Sequence, residues 1–230
     1  MFHASHSLKM MFVLLLSCSW LVHADDPGSQ YESLAKQGDK HAQYFLADTY
    51  VSAGDLAHAT YWAEKAASQG LPDAYALLAE IHLEGKKDFV KAKYFADKAA
   101  NSGSRAGEVI LSRLLINNRA GLTDCSRATA LLTQVSAYPD DDAAVDAQMV
   151  LGIMNAAGVC LPENTQMAHY WLQRSSSISR TGYAEYWAGM AFLKGDEGFV
   201  KPDQAKAAYW FKQSCIQGFD SGCDNIELIK

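Results

Sequence analysis

A segment with an alanine, a bulky residue three positions on and a small-residue tail recurs along this chain at intervals of 33 to 40 residues. It reads AHATYWAEKAASQG at 57–70, KAKYFADKAANSG at 91–103, MAHYWLQRSSS at 167–177 and KAAYWFKQSCIQG at 206–218. A unit of that length holds a pair of helices, and one pair cannot bury its apolar face alone, so successive units must stack to make a core. The pattern therefore predicts an all-α fold, an α/α superhelical solenoid of about five helix pairs, and no segment has convincing strand periodicity. The units fall at about 30–70, 71–103, 104–142, 143–180 and 181–218, followed by a C-terminal capping helix at 219–230.

Each pair can be aligned on an alanine in its first helix: Ala42, Ala74, Ala106, Ala147 and Ala184. Breaks follow at Gly54, Gly85, Ala120-Gly121, Ala157-Gly158 and Gly195 to Gly198, and the second helices carry Trp62, Phe95, Leu131, Trp171 and Trp210. Small residues at facing positions let helices approach closely, so these five bulky residues are expected to fill the space between pairs. The run Tyr138 to Asp142, with its proline and three acids, should end the third pair.

The fourth and fifth units resemble the Sel1-like repeat, whose pattern runs from a small-residue helix through G-x-G-V to D-x-x-K-A-x-x-W. Gly195, Gly198, Val200, Asp203, Lys206, Ala207 and Trp210 follow it with a one-residue insertion. The first two units lack the G-x-G-V turn and look closer to tetratricopeptide repeats, and the third is the most divergent. The resemblance covers nearly the whole chain beyond its first residues and extends to small exported members of the family. It implies a superhelix that binds a protein or peptide and implies no reaction. Some periplasmic relatives resemble immunity proteins to exported toxins, so that use is a specific form of the expectation. In the cysteine-rich branch of the family a pair spaced like Cys215 and Cys223 ties the second helix of one unit to the first helix of the next, and KQSCIQGFDSGC matches it.

The first 24 residues read as a cleaved signal peptide. His3, His6 and Lys9 precede an apolar run from Met10 to Val22, and Val22-His23-Ala24 presents small residues for cleavage before Asp25. A retained anchor or a lipidated Cys18 are the alternatives, but the run is short for a bilayer and stays apolar beyond Cys18. The expected location is the periplasm. Four cysteines would remain, an even number that favours disulfides in an exported chain. Besides Cys215–Cys223, Cys125 and Cys160 lie in corresponding turns of the third and fourth units, where stacking could bring them together. Without the leader the chain would carry 19 Lys+Arg against 26 Asp+Glu, a net charge of −7 with no basic cluster. That disfavours nucleic acid and anionic membranes as partners.

Candidates for chemistry are few. Ser33-Leu34-Ala35-Lys36 matches S-x-x-K, the nucleophile motif of penicillin-recognising enzymes, but no S-D-N or K-T-G accompanies it, so a β-lactam or cell-wall activity is the minor alternative. His41, His58, His82 and His169 have no metal-ligand spacing, and His82 shares a column with Tyr50, Leu114 and Phe192, which makes it a packed imidazole. Asp140 to Asp142 lack the alternating oxygen ligands of a calcium loop. No metal and no cofactor is expected, and a monomer is.

Positions that vary while the core repeats point to the binding face. Two and six residues after the anchoring alanines stand Tyr44/Asp48, Ala76/Glu80, Glu108/Ser112, Met149/Ile153 and Tyr186/Met190. If this column faces the concave surface, Tyr44, Asp48, Glu80 and Glu108 would meet polar or basic groups, and Met149, Ile153, Tyr186 and Met190 an apolar segment. Burial of the column between units is the alternative.

Overall fold

The computed structural model describes residues 27–117, 123–138, 141–176, 181–195 and 200–229. Among them are twelve α-helices and no strand. A helix that the sequence pattern merged with the first unit comes first, α1 (Pro27–Lys36). Five antiparallel pairs follow: α2 (Lys40–Ser52) with α3 (Leu56–Ser68), α4 (Pro72–Glu80) with α5 (Phe89–Asn101), α6 (Arg105–Ile116) with α7 (Cys125–Val135), α8 (Asp142–Ala157) with α9 (Thr165–Ser176), and α10 (Tyr183–Lys194) with α11 (Gln204–Ile216). The last helix, α12 (Asp220–Leu228), packs against α11.

The punctuation between helices is local chemistry. Asp39, Asp55, Asp88, Ser104, Asp124, Asp141 and Asp203 each accept a backbone N–H of the helix they open. Such caps satisfy donors that the first helical turn leaves unpaired, at about 1 kcal/mol each. Where a second helix turns into the next first helix, Gly38, Gly70, Gly103 and Gly218 have φ between +77° and +97°, a conformation open to glycine at little cost.

Four residues after each of those glycines stands the residue on which the next helix is anchored: Ala42, Ala74, Gly107 and Gly222. Ala42, Ala74, Ala147 and Ala184 are buried, whereas Ala106 is exposed and its neighbour Gly107 is buried. The third pair is therefore shifted by one residue from the alignment on Ala106. The reason is steric. A Cβ at Gly107 would overlap the Cβ of Ala99 on α5, so the closest approach of α5 and α6 requires glycine. The position five residues past the anchor is equally tight: Ala47, Ala79, Ser112, Gly152 and Gly189 are all buried, and a Cβ at Gly152 or Gly189 would lie 2.6 Å from Leu172 or Phe211.

The core is continuous along the stack. One cluster centres on α2 to α4 and a larger one on α4 to α11, with Tyr75 and Phe95 packed against both. Trp62 and Trp210 are buried, and Phe95, Leu131 and Trp171 are half-buried. Between α4 and α5 the chain makes a π-helical turn, Ile81–Gly85, which the periodicity did not predict. His82 in this turn is buried and stacks on Phe95 at 5.5 Å, and burial pushes its pKa down. A Cβ at Gly85 would lie 2.6 Å from the Leu56 side chain, so glycine lets the turn close over α3.

Two disulfides tie the stack. Cys125 at the start of α7 bonds Cys160, just beyond α8, across 35 residues, and Cys215 near the end of α11 bonds Cys223 in α12, eight residues on. The expected leader over residues 1–24, its cleavage after Ala24, and Cys18 lie outside the described residues. Among those described, no helix is long and apolar enough to cross a membrane.

Candidate binding groove

The first helices α4, α6, α8 and α10 line one groove, and their registers fix what it shows. Residues one before, two and three after, and six after each anchor share one face of an α-helix. Counted from Gly107, Ala147 and Ala184, the first row is Ala106, Asp146 and Tyr183. A middle belt follows, with Val109 and Ile110 on α6, Met149 and Val150 on α8, and Trp187 on α10. The last row is Glu80 on α4, Arg113, Ile153 and Met190. These residues, with Ala191, Lys194 and Gly195, line a groove of about 490 Å³. That volume lies within the range of ordinary ligand and peptide pockets.

The proposed column divides in this frame. Glu80, Met149, Ile153 and Met190 come together in the groove, where Ile153 is buried in the wall and the other three are half-buried. Trp187 is 41% exposed, which leaves an apolar surface open to solvent. Tyr44 and Asp48 hold the equivalent positions on α2 but lie outside the groove. Tyr44 is half-buried edge-on to Phe45 at 5.4 Å, and Asp48 is exposed. Tyr186 is turned away and packs on Phe211 and Phe219, with centroids at 5.7 and 5.3 Å.

Glu108 leaves the groove through the one-residue shift, which puts it one position after its anchor beside Gln43, Gln148 and Glu185 in the other pairs. In three pairs that column docks the first helix on the segment before it. Gln43 Nε2 donates to Ala35 O at 3.0 Å, Gln148 Nε2 to Ser136 O at 2.9 Å, and Ser176 Oγ to Glu185 Oε2 at 3.0 Å. Burial pushes the Glu108 carboxyl up. Ser112, five after Gly107, is buried and donates to Glu108 O at 2.7 Å.

Among the groove residues that the sequence column missed are Arg113, Asp146, Tyr183 and Trp187. The signal was present: Gly103 stands four residues before Gly107 as Gly38 does before Ala42, which corrects the register and brings in Arg113. Asp146 and Trp187 need the full width of the face, which two offsets per helix undersample.

Asp146 is the unusual group. Its carboxyl makes no hydrogen bond or ion pair among the described residues, and it is pushed up to about 6. Burial is the main cause; Glu80 and Asp142 add to it and Arg113 opposes it. The residue is exposed to water, yet the groove wall beside it replaces part of the surrounding solvent with protein, which disfavours the charged form. Arg113 is engaged elsewhere, its Nη2 donating to Glu84 Oε1 at 2.7 Å.

The other candidates have structural surroundings. Ser33 is exposed on α1, and Lys36 Nζ pairs with Glu32 Oε1 at 2.6 Å. The Glu32 hydrogen bond raises the Lys36 pKa, opposite to what a general base beside Ser33 would need. His58 pairs with Asp55 at 2.7 Å, and His169 Nε2 lies 2.6 Å from the Tyr209 hydroxyl. Asp141 accepts from the Ala143 N–H and from Arg105 Nε. Among the described residues no three His, Cys, Asp or Glu side chains are grouped so as to hold a metal ion.

Comparison with known proteins fits this architecture. The family model for the Sel1 repeat matches residues 40–71, 72–104, 145–177 and 182–219. The first two matches fall on α2 to α5, whose spacing had suggested tetratricopeptide repeats, and the interval left out contains the shifted pair α6 and α7. The chain is 48% identical over 226 residues to the Sel1-repeat-containing protein YjcO of Escherichia coli K12, covering 96% of this chain and 99% of that protein. The crystal structure of a sel1 repeat protein from Klebsiella pneumoniae subsp. pneumoniae is similar with a TM-score of 0.85 and 49% identity, over 89% of this chain and 99% of that one. A protective antigen of uropathogenic Escherichia coli shares the fold at a TM-score of 0.57 and 20% identity, over 86% of this chain and 43% of its own.

Proposed function

The chain belongs to the Sel1 repeat family, and on that premise we propose that it is an exported, non-enzymatic scaffold that binds a protein or peptide segment in the groove between α4 and α10. The observation that carries this is the accessible apolar surface of Met149, Trp187 and Met190 on a floor of packed first helices that includes buried Val150. Solvent-facing methionine and tryptophan in one concavity are a usual mark of a partner site, and methionine adapts its shape to what it meets. Rigid neighbouring helices hold the belt in place, so little conformational entropy is lost on binding.

The two disulfides and the leader read from residues 1–24 support a periplasmic location. In that compartment the scaffold serves as an adaptor between envelope proteins or, more specifically, as an immunity protein that occupies an exported toxin. Tyr44 and Asp48 would extend the contact along α2 for a partner longer than the groove.

A photoreactive phenylalanine analogue at position 187 tests the reading. Ultraviolet crosslinking in the envelope should give one dominant adduct, and Met149→Ala with Met190→Ala should remove it while the helical circular dichroism spectrum is retained. An adduct that survives the double substitution places the partner elsewhere on the chain.

A further inference from the structure

We propose that the groove is built for a peptide segment carrying one basic side chain next to aliphatic or aromatic ones, with the base against Asp146 and the apolar residues on Met149, Trp187 and Met190. This rests on the peptide-binding reading above and adds the chemistry of the occupant. The charges around Asp146 set the argument. Asp142 lies on its own helix, Glu80 faces it from α4 and Arg113 from α6, while α10 contributes Tyr183 and Lys194 to the same groove. Arg113 is held by Glu84 at 2.7 Å. Lys194 stands eleven positions further along the helical frame than Asp146, about 16 Å at 1.5 Å per residue, so it belongs to the opposite rim. Around Asp146 the carboxylates of Glu80 and Asp142 thus outnumber the single cation Arg113, and its own carboxylate has no hydrogen-bond or ion-pair partner among the described residues.

The Asp146 carboxylate is open to water and has no protein partner among the described residues, so it is free to meet an incoming cation at the groove, and charged groups with perturbed surroundings concentrate at functional sites. An ammonium or guanidinium supplies the missing partner through a charge-assisted hydrogen bond, and an anion would be repelled by Glu80 and Asp142. The belt beside it accepts apolar side chains and has no charged group of its own. Because burial pushes the Asp146 carboxyl up to about 6, a bound cation must hold it ionised, and affinity falls as pH drops through that value.

The test uses the chain with both disulfides formed and a phage library of random twelve-residue peptides selected at pH 7.5. The enriched peptides should carry lysine or arginine within three positions of an aliphatic or aromatic residue. Replacing that lysine by norleucine, or arginine by citrulline, in a synthetic copy should weaken binding about tenfold, the size of one charge-assisted hydrogen bond. On Asp146→Asn the same replacement should cost less than threefold, and the parent peptide should lose most of its affinity for the unsubstituted protein at pH 5. Peptides that depend on Met149 and Met190 but show no basic enrichment, or tolerate norleucine, overturn this inference and leave the groove reading intact. A selection that yields no peptide dependent on Met149 and Met190 overturns both.

Discussion

Asp146 is ionised at a cost that an amide would avoid, because Glu80, Asp142 and the protein wall around it all disfavour its charge. The consequence for stability has a definite sign. Its carboxyl titrates near 3.8 in an unfolded chain and at about 6 in the fold. Between those values the unfolded chain sheds the proton and the folded chain keeps it, so the stabilisation is complete below about pH 4 and lost as pH rises through 6. Asp146→Asn should therefore match the unsubstituted protein at pH 4 and exceed it at pH 7.5 by about 1 kcal/mol, well under the full shift because water reaches the group. Urea unfolding at the two pH values measures this, and equal midpoints at pH 7.5 would show that the carboxylate is freely solvated.

At the scale of one helix, register decides which side chains reach the groove. In α6 the anchor is Gly107, and the choice between Gly107 and the neighbouring Ala106 moves Glu108 out of the groove and Arg113 into it. Alanine is usually the better helix former by about 1 kcal/mol, so an exposed Gly→Ala change inside a helix should stabilise. Gly107→Ala should do the reverse and cost about 2 kcal/mol, because the new methyl overlaps Ala99 where α5 and α6 touch. Ala106→Ser, in the exposed position, should change thermal stability little. A pair of melting curves decides between the registers, since an anchor at Ala106 would make serine the damaging change and alanine the harmless one. The alternation of anchor and tight position, Ala42 with Ala47 through Ala184 with Gly189, was readable from the amino acids. In the third pair exposed Ala106 hid it by standing beside the true anchor.

Across the described residues each pair touches its neighbours in the stack, so stability is spread along the chain, and α12 packs chiefly on α11. The disulfides act on this stack at two places. Cys215–Cys223 closes a short loop and holds α12 on the last pair, worth about 3 kcal/mol by loop-closure entropy. Cys125–Cys160 closes a longer one, about 4 kcal/mol, and joins the pair outside the family match to the pair after it. Cys215→Ser with Cys223→Ser should release hydrogen-exchange protection in α12 first, leaving α8 to α10 protected. Cys125→Ser with Cys160→Ser should lower the main urea midpoint and expose α6 and α7 together. The repeat period, the helix pairs and their small-residue contacts were legible in the sequence, because each depends on local periodicity. The Cys215–Cys223 pairing was legible through the family resemblance, and stacking of equivalent turns made Cys125–Cys160 possible. The extra first helix, the π-helical turn and the membership of the groove were settled by tertiary structure. An apolar or acidic residue on a helix face reads the same whether the next helix covers it or leaves it open, and only the packed stack turns Tyr186 onto Phe211 and Phe219, exposes Trp187 and leaves Asp146 without a hydrogen-bond or ion-pair partner among the described residues.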